Sequence, residues 1–380
     1  MHDMSQESLH FPAEIPVSSH YRLWSLLGEV CAQLDEVRSA PLPPSEALEV
    51  EEKYLRRGAL AILAAGGNQL TENELDDVAA HAGDGFLQHG SRESEIWNVL
   101  EACHGLVRAT RKHAVPKLDP DYLGRINATV LAGVELPQGE TAGDVRRRDR
   151  EGMGLPADQC RLALERYCSW LASGTFDTER ADMQEVTGIL RAILAHVYLL
   201  RMNPYADGNA RTARLAEAFL LMKAGVPATA AFLLGVHYTA TRSRFLQELA
   251  AQDEQGGTVL MDSFLIYALQ GWADTLRGLL ADLRERHLLA AWRLHVQEVF
   301  LNASTEKTAT RRRDLLLSLP ARPTPIARFS DIPQQVFYAH YRHKNLRTLT
   351  RDLTELVQMN LLESTRQGYR PRLDSLRPWN

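Results

Sequence analysis

The 380-residue sequence is short of several features that would define its class at once. Its four cysteines are far apart in sequence: Cys31, Cys103, Cys160 and Cys168. They form no Cys-x-x-Cys pair, and no histidines lie near them at metal-site spacing, which argues against a disulfide framework and a zinc site. The sequence also lacks a spanning helix, because its longest uncharged stretch, 224–241, is interrupted by Pro227 and Gly235. We therefore expect reduced core thiols and no membrane partner.

The first residues lack the basic start and apolar run of a secretion signal, so we expect the protein to be cytoplasmic. A hydrophobic fraction of 45% and a charged fraction of 24% exclude collagen-like, low-complexity and globally disordered chains. The net charge of −5 is unevenly spread, since residues 305–380 carry 14 Lys and Arg against 7 Asp and Glu. The C-terminal segment is therefore predicted to be electrostatically distinct.

Apolar residues recur at three- and four-residue spacing from Tyr21 to about Asn302, which predicts an all-α body. One insertion without this period, 134–154, is typical of a surface hairpin or flap. Near the C-terminus, a predicted helix at about 345–359 precedes a basic hairpin with Gly368-Tyr369 as its turn, which is the outline of a winged helix. We therefore divide the chain into a loose N-terminal segment (1–18), an N-terminal helical region (19–115), a core (116–304) and a winged-helix-like basic domain (305–380).

The clearest chemical signal is a loop between two predicted helices. An apolar stripe stops at about Met202, before Asn203-Pro204, and a second helix begins within 208–211 and ends at about Gly225. The connecting run, residues 203–214, is Asn-Pro-Tyr-Ala-Asp-Gly-Asn-Ala-Arg-Thr-Ala-Arg.

This run combines groups that bind phosphates. Gly208 and Asn209, at the start of a helix, present unpaired N–H groups and the positive end of the helix dipole to an anion. Arg211 and Arg214 share a helix face and can hold phosphate oxygens, and Asp207 is a hard oxygen ligand suited to Mg²⁺. The run predicts a di- or triphosphate site, although Asp-Gly-Asn before a helix is also typical of a simple turn and cap.

The same twelve residues resemble the signature of the Fic (Fido) family, His-Pro-Phe-x-Asp-Gly-Asn-Gly-Arg-x-x-Arg, in order and spacing. The resemblance covers about 45–300, including the segment 143–146 of the flap, and the basic tail resembles the winged helix that many such proteins append. It implies an all-α Fic fold with a small β-hairpin flap plus a C-terminal winged-helix domain. It also implies transfer of AMP from ATP, with Mg²⁺, to a hydroxyl of a protein target docked at the 134–154 flap.

The family's residue roles carry over position by position. The resemblance implies that Asp207 holds Mg²⁺ and that the nucleotide phosphates lie against the turn and the two arginines, at Gly208, Asn209, Ala210, Arg211 and Arg214. Two positions depart from the signature. Asn203 stands where the family has the catalytic histidine that takes the hydroxyl proton, and Ala210 stands where it has its second glycine.

Asn203 is the departure with the larger consequence. A neutral amide can hydrogen-bond a hydroxyl but cannot accept its proton, and a general base contributes roughly 10²- to 10⁴-fold. His196 lies roughly 10 Å back along the same predicted helix, and we expect it to be buried rather than to replace the base. Ala210 weakens the site by on the order of 1 kcal/mol if its φ must be positive, and is harmless in a first helical turn.

The segment 59–71 resembles the end of the family's autoinhibitory helix, whose glutamate pairs with the second motif arginine. Gly66 stands at that glutamate and Ile62 at the preceding Ser/Thr. We therefore expect both the catalytic base and the autoinhibitory glutamate to be missing.

The predicted winged helix supplies a second candidate site, for duplex DNA. Its candidate contacts lie on the recognition helix and the hairpin: Arg347, Thr348, Arg351, Arg366 and Arg370, with Lys307 and 311–313 adding charge upstream. The same arginines are also compatible with a solvated face of a protein–protein module.

Three functions remain open from the sequence. The favoured one is a nucleotide-binding Fic-fold protein that is catalytically impaired and regulatory. The alternatives are an active adenylyltransferase that tolerates Asn203, and a DNA-binding regulator that uses the Fic body as a scaffold. The oligomeric state, a homodimer included, is left open.

Overall fold

The computed structural model describes residues 9–68, 71, 73–75, 77, 92–112, 115–150, 154–251, 261–301 and 306–376. The chain divides into two compact units, Met1–Leu280 and Ala281–Asn380. The four-segment organisation of the sequence analysis stays a prediction. None of the described helices is both long and apolar enough to cross a membrane.

The first unit is built from helices, which confirms the predicted all-α body. Its described residues form no β-strand. Two 3₁₀ turns, Gly174–Phe176 and Ala181–Met183, connect its fifth and sixth helices. The helices are α1 (Tyr21–Ser39), α2 (Pro44–Ala65), α3 (Arg92–Thr110), α4 (Pro120–Val130), α5 (Ala157–Leu171), α6 (Gln184–Met202), α7 (Asn209–Lys223), α8 (Ala228–Ala231), α9 (Leu233–Ala240), α10 (Arg242–Ala250) and the first part of α11 (Asp262–Leu301).

Helices α6 and α7 form the centre of the first unit. Both are largely buried, α6 because its surface is almost entirely apolar and α7 although it contains Arg211, Arg214 and Glu217. Helix α7 packs against α2, α3, α4 and α6. Helix α6 ends at Met202 and α7 begins at Asn209, which confirms the predicted boundaries of the loop. The C-terminal end of α7 is followed by Gly225, whose φ of +97° suits glycine.

Helix α2 brings its C-terminal end to the α6–α7 loop. Its Gly58 allows close packing, because a Cβ there would lie 2.3 Å from the Cβ of Phe232. At the end of α2, a Cβ on Gly66 would lie 3.1 Å from Nε of Arg211. The segment that resembles the end of the family's autoinhibitory helix therefore lies next to the motif.

The segment 134–154 is described at 134–150 and 154, where it forms turns and no named strand. Its one β-bridge pairs Val145 with Tyr205 in the α6–α7 loop. The predicted flap therefore lies against the motif loop.

Residues 9–18 lie against the first unit, unlike the loose lead-in predicted for 1–18. Phe11 packs against a group of aromatic rings at centroid distances of 5.4–6.1 Å, and the Trp170 indole donates to the Pro12 carbonyl at 2.8 Å. The Met261 N–H also donates to the Pro16 carbonyl at 2.9 Å, so both ring packing and hydrogen bonds hold the segment.

The second unit contains several helical segments, some of them a single turn long, followed by a two-stranded sheet. A short helix, Gln334–Val336, continues as a π-helical turn, Phe337–Tyr341. The other elements are the end of α11, α12 (Glu306–Leu317), the 3₁₀ turn Phe329–Asp331, α13 (Leu346–Gln358), β1 (Leu362–Thr365), β2 (Gly368–Pro371) and the 3₁₀ turn Leu373–Leu376. A helix followed by an antiparallel hairpin matches the order expected here, while winged-helix function stays a prediction.

Two details of this unit differ from the sequence prediction. Gly368 and Tyr369 are paired in β2, and the turn is Arg366-Gln367, because Tyr369 also bridges Thr324 and is held in extended backbone. The apolar face of the helix predicted at 345–359 is also shorter than its sequence suggests: Leu346, the first residue of α13, is 44% exposed, and the core begins at Leu349.

Candidate functional site

Asn203 ends helix α6 in the left-handed region, with φ 49° and ψ 56°. Asparagine tolerates this conformation better than most residues, and its backbone N–H completes the helix by donating to the Leu199 carbonyl at 3.0 Å. The residue is 8% exposed. Asn203 therefore has a structural reason for being asparagine that is separate from any chemistry.

Asn209 fixes the shape of the loop. Its Nδ2 donates to the Tyr205 carbonyl at 2.7 Å, and its Oδ1 accepts the Tyr205 N–H at 2.9 Å. The side chain of this predicted phosphate-binding residue is thus committed to the loop, which leaves its backbone as the group available to an anion.

Gly208 and Asn127 hold the turn in place. Gly208 has φ 73°, and a Cβ there would lie 3.0 Å from Nδ2 of Asn127. That Nδ2 donates to the Asp207 carbonyl at 2.9 Å and to Oγ1 of Thr212 at 3.1 Å, while Oδ1 of Asn127 accepts the Gly143 N–H at 2.9 Å. Asn127 therefore joins α4, the flap and the motif. Sequence reasoning missed it because it lies 80 residues before Asp207.

Ala210 lies in the first turn of α7, and its φ is not positive. Of the two alternatives that the sequence left open, the structure therefore shows the one without backbone strain.

One cavity of about 360 Å³ brings the motif residues together. Its polar lining includes Asn203, Asp207 and the start of α7, and its apolar lining comes from α6 and α10. The lining comprises Ala65, Gly66, Arg150, His196, Leu200, Asn203, Asp207, Gly208, Asn209, Ala210, Arg211, Arg214, Arg242, Phe245, Leu246 and Leu249.

The charge of this cavity is strongly positive. Four arginines line it, and Asp207 is the one carboxylate among its described lining residues. Two of the arginines were missed by sequence reasoning: Arg150 donates to the Ala206 carbonyl at 3.0 Å, and Arg242 donates to the Ala64 carbonyl at 3.1 Å. No local pattern marks either residue, since each reaches the cavity through the tertiary fold.

Arg211 is buried, with loosely held partners. Its Nη1 lies 3.4 Å from Oε2 of Glu95, its Nη2 lies 3.8 Å from Oδ2 of Asp207, and its buried Nε has no hydrogen-bond partner. Gly66 packs closely against this side chain, since a Cβ there would lie only 3.1 Å from Nε. Arg211 therefore has donor capacity that an anion can use.

Arg214 is more firmly committed to the fold. Its Nη1 donates to the Ala61 carbonyl in α2 and to Oγ1 of Thr239 in α9, the latter at 2.7 Å. Burial lowers the pKa of Arg214 to about 10, so the group stays cationic at neutral pH. The second motif arginine thus ties α2 to α9 and offers the cavity only the rest of its guanidinium.

His196 is buried beside the cavity, as expected. Its Nδ1 lies 3.1 Å from Oε1 of Glu217, without the alignment of a hydrogen bond, and the Tyr238 hydroxyl donates to the same oxygen at 3.1 Å. Its ring also packs against Tyr238 and Phe245 at centroid distances of 5.1 and 5.8 Å. These contacts account for His196 as part of the packed centre.

Arg146 holds the flap against the motif loop, although a surface hairpin or flap was predicted for this segment. The side chain is 1% exposed and donates to the carbonyls of Asn203, Arg148 and Leu155. Its backbone N–H also donates to the Pro204 carbonyl at 2.9 Å. A buried arginine is tolerated here because backbone carbonyls satisfy it.

Asp207 is the carboxylate of this cavity that would hold a magnesium ion. Its Oδ1 accepts the Gly208 N–H at 2.6 Å, and about half of the side chain is exposed. The described residues contain no cluster of three or more metal-binding side chains. This suits Mg²⁺, which is commonly held by one or two carboxylates together with phosphate oxygens and waters.

The basic residues of the second unit differ in availability. Arg347, Arg351 and Arg366 are exposed. The Thr348 hydroxyl instead donates to Oδ1 of Asn345 at 3.0 Å, and Arg370 donates to Glu363 at 2.8 Å across the hairpin.

The upstream arginines do not supply the exposed charge expected of them. Arg311 and Arg312 both donate to the buried Asp352, at 2.6 and 2.9 Å, and Arg313 pairs with the adjacent Asp314. The sequence expectation for 311–313 is therefore corrected: this charge is largely neutralised within the unit.

Comparison with known proteins points to one family. Residues 117–221 match the family model described as Fic/DOC family. The chain resembles a Fic family protein from Desulfovibrio desulfuricans G20 at 16% identity and a TM-score of 0.53, over 94% of this chain and 97% of that chain. It also resembles Fic-1 from C. elegans at 20% identity and a TM-score of 0.53, over 70% of this chain and 73% of that chain. No curated protein matches it by sequence. At these identities the likeness establishes the fold.

Proposed function

Because residues 117–221 form a Fic/DOC-family domain, we propose that the cavity around 203–214 binds a nucleoside triphosphate with Mg²⁺, and that transfer of AMP from it is impaired. ATP is the nucleotide that the family resemblance suggests. The carrying observation is that one cavity of about 360 Å³ contains the side chains of Asn203, Asp207, Arg211 and Arg214.

The charge of the cavity supports an anionic ligand. The start of α7 adds the positive end of a helix dipole to the arginine side chains. Arg211 is held only loosely by its carboxylate neighbours, and the exposed Arg150 and Arg242 widen the positive surface. A chain of phosphates offers several oxygens to such a set.

The apolar side supports a ligand with a ring. Leu200, Phe245, Leu246 and Leu249 line that side. A volume of 360 Å³ lies within the range of small-molecule sites. A nucleotide combines the two chemistries that this cavity offers.

The chemical step is expected to be weak because of Asn203. Bound Mg²⁺ would offset phosphate charge at Asp207. The Asn203 amide can orient a hydroxyl but cannot take its proton, and His196 is held among Glu217, Tyr238 and Phe245. A protein hydroxyl is the proposed acceptor class, presented by a target docked at the 134–154 flap, whose Val145 bridges the motif loop.

Calorimetric titration of the full chain with ATP, in the presence of either Mg²⁺ or EDTA, tests the binding half of this proposal. We expect saturable binding that Asp207→Ala weakens about tenfold in Mg²⁺ and hardly at all in EDTA, because the lost carboxylate acts through the metal. The matched control is Asp144→Ala, which removes an exposed flap carboxylate outside the cavity lining. Absence of binding, or equal affinity of wild type and Asp207→Ala in Mg²⁺, would overturn the proposal.

A second candidate function, binding of duplex DNA, is favoured by the exposure of Arg347, Arg351 and Arg366. With three phosphate contacts, log affinity should fall with log salt at a slope of about −3. A salt-dependent gel shift that Arg347→Ala plus Arg351→Ala removes would support it, and no shift at low salt would end it. Cytoplasmic location and a homodimer stay predictions.

A further inference from the structure

A second cleft lies at the other end of the α6–α7 pair. Its volume is about 440 Å³, and it is lined by the Gly174–Phe176 turn, the first turns of α6 and the end of α7. Arg191 lies in it, twelve residues before Asn203 on the same helix, which corresponds to about 18 Å along the axis. We name it the Arg191–Lys223 cleft, after the two cations in its lining.

The cleft carries positive charge without matching negative charge. Lys223 forms no ion pair with any described residue. Asp177 is the one carboxylate among the described lining residues; it lies 3.4 Å from Nη2 of Arg191, and 76% of its side chain is exposed. A pair this exposed contributes little, so most of the attraction of the two cations is left for another anion.

Arg191 is held in a fixed position but is not satisfied. Its guanidinium lies 5.1 Å from the centroid of the buried Phe176 ring, which orients the plane of the group. Its Nε is buried and has no hydrogen-bond partner. The side chain as a whole is 24% exposed, and an oxyanion in the cleft would accept charge-assisted hydrogen bonds from its accessible N–H groups.

The two cations also disfavour each other. Burial lowers the pKa of Arg191, and it lowers that of Lys223 together with the nearby charges of Arg191 and Lys117. The first turn of α6, at Gln184 and Thr187, adds the positive end of a helix dipole to the same cleft. A negative charge in the cleft would therefore stabilise Arg191, Lys223 and the first turn of α6.

We propose that the Arg191–Lys223 cleft is a second binding site, specific for a compact phosphate-class dianion and separate from the motif cavity. Two cationic side chains suit the double charge and multiple oxygens of inorganic phosphate or of a small phosphate monoester. The cleft and the motif cavity share no lining residue. The proposal therefore holds whether or not the motif cavity binds nucleotide.

Calorimetric titrations of the full chain at constant ionic strength, with inorganic phosphate in one series and glycerol 3-phosphate in another, test this site. We expect saturable binding with a Kd of about 1 mM or tighter. Lys223→Gln should weaken it about tenfold, since it removes one charge-assisted contact at an exposed position that does not endanger folding. Asp177→Asn should tighten it, because the substitution removes the competing carboxylate from Arg191.

Arg161→Gln, which removes an exposed cation of α5 outside the lining of both cavities, is the matched control and should leave this binding unchanged. Tighter binding of inorganic phosphate assigns the site to free phosphate, and tighter binding of glycerol 3-phosphate assigns it to a phosphate monoester. The proposal is overturned if neither probe binds saturably, or if Lys223→Gln and Asp177→Asn both leave the affinity of the wild type unchanged.

Discussion

The α6–α7 loop and the C-terminal unit both contain arginines that are close together in sequence, but the two sets are used differently. Arg211 lies at a cavity, with its carboxylate neighbours at 3.4 and 3.8 Å, whereas Arg311 and Arg312 converge at 2.6 and 2.9 Å on Asp352, which has no exposed surface. A count of charged residues in a sequence therefore gives only the total positive charge of a region. The carboxylates packed against its arginines decide how much of that charge remains for a ligand.

The largest effect should come from removing the carboxylate that neutralises the C-terminal pair. Asp352→Asn leaves Arg311 buried without its partner, so we expect a loss of about 3–5 kcal/mol in the free energy of unfolding, measured by urea unfolding at pH 7. Glu355→Gln on the same helix is the matched control: it loses one 3.4 Å contact at a half-exposed site and should change stability by less than about 1 kcal/mol. Equal losses of stability in the two variants would contradict the claim that Asp352 is the carboxylate that neutralises this pair.

The same carboxylate makes a pH-dependent contribution to stability. Burial by itself raises the pKa of Asp352, but hydrogen bonds from Arg311, Arg312 and Tyr341 outweigh it, and the net pKa lies below its usual value. A lowered pKa in the folded state means that the stabilisation is complete above about pH 4 and is lost as the pH falls further. We expect wild type to lose stability between pH 4 and lower pH more steeply than Asp352→Asn; parallel curves would contradict this.

A smaller effect should follow from releasing Arg211 from its loose partner. Glu95→Gln removes a carboxylate that competes with a phosphate, so we expect Mg²⁺-ATP to bind about two- to fivefold more tightly in calorimetry. Glu101→Gln, on the same helix but paired with Arg108, should leave the affinity unchanged. Weaker nucleotide binding by Glu95→Gln would show that Glu95 supports the site instead of competing for it.

The smallest effect distinguishes two arginines of one hairpin. Arg366 is exposed and Arg370 is paired with Glu363, so Arg366→Gln should reduce the salt slope of DNA binding by about 0.9, and Arg370→Gln should reduce it by much less. Equal changes in gel shifts over a salt series would mean that the Glu363 pair opens on DNA.

The elements of the motif could be predicted because their signals are local. Asn203-Pro204 ends α6 and Gly208 opens α7, so the loop followed from backbone restrictions on a few adjacent residues. That the motif side chains line one cavity also followed, because a loop and one helical turn keep them together.

The remaining features could not be predicted because they depend on segments distant in sequence. Glu95 reaches Arg211 from 116 residues away, and Asn127 reaches Asp207 from 80 residues away. Arg146 has the composition of a surface residue, yet four hydrogen bonds to carbonyls hold its backbone and side chain against the loop. In each case packing across the fold, rather than local pattern, decides the role of the side chain.

The central claim is that the motif cavity grips a triphosphate but has no group to deprotonate an alcohol, and Asn203→His tests it most directly. Histidine is among the residues that tolerate the left-handed backbone of this position, so the substitution should preserve the loop. With labelled ATP, Mg²⁺ and a cell lysate, we expect transfer of AMP by Asn203→His to exceed that by wild type by roughly 10²- to 10⁴-fold. Robust labelling by wild type that Asp207→Ala abolishes, with no gain in Asn203→His, would contradict the claim.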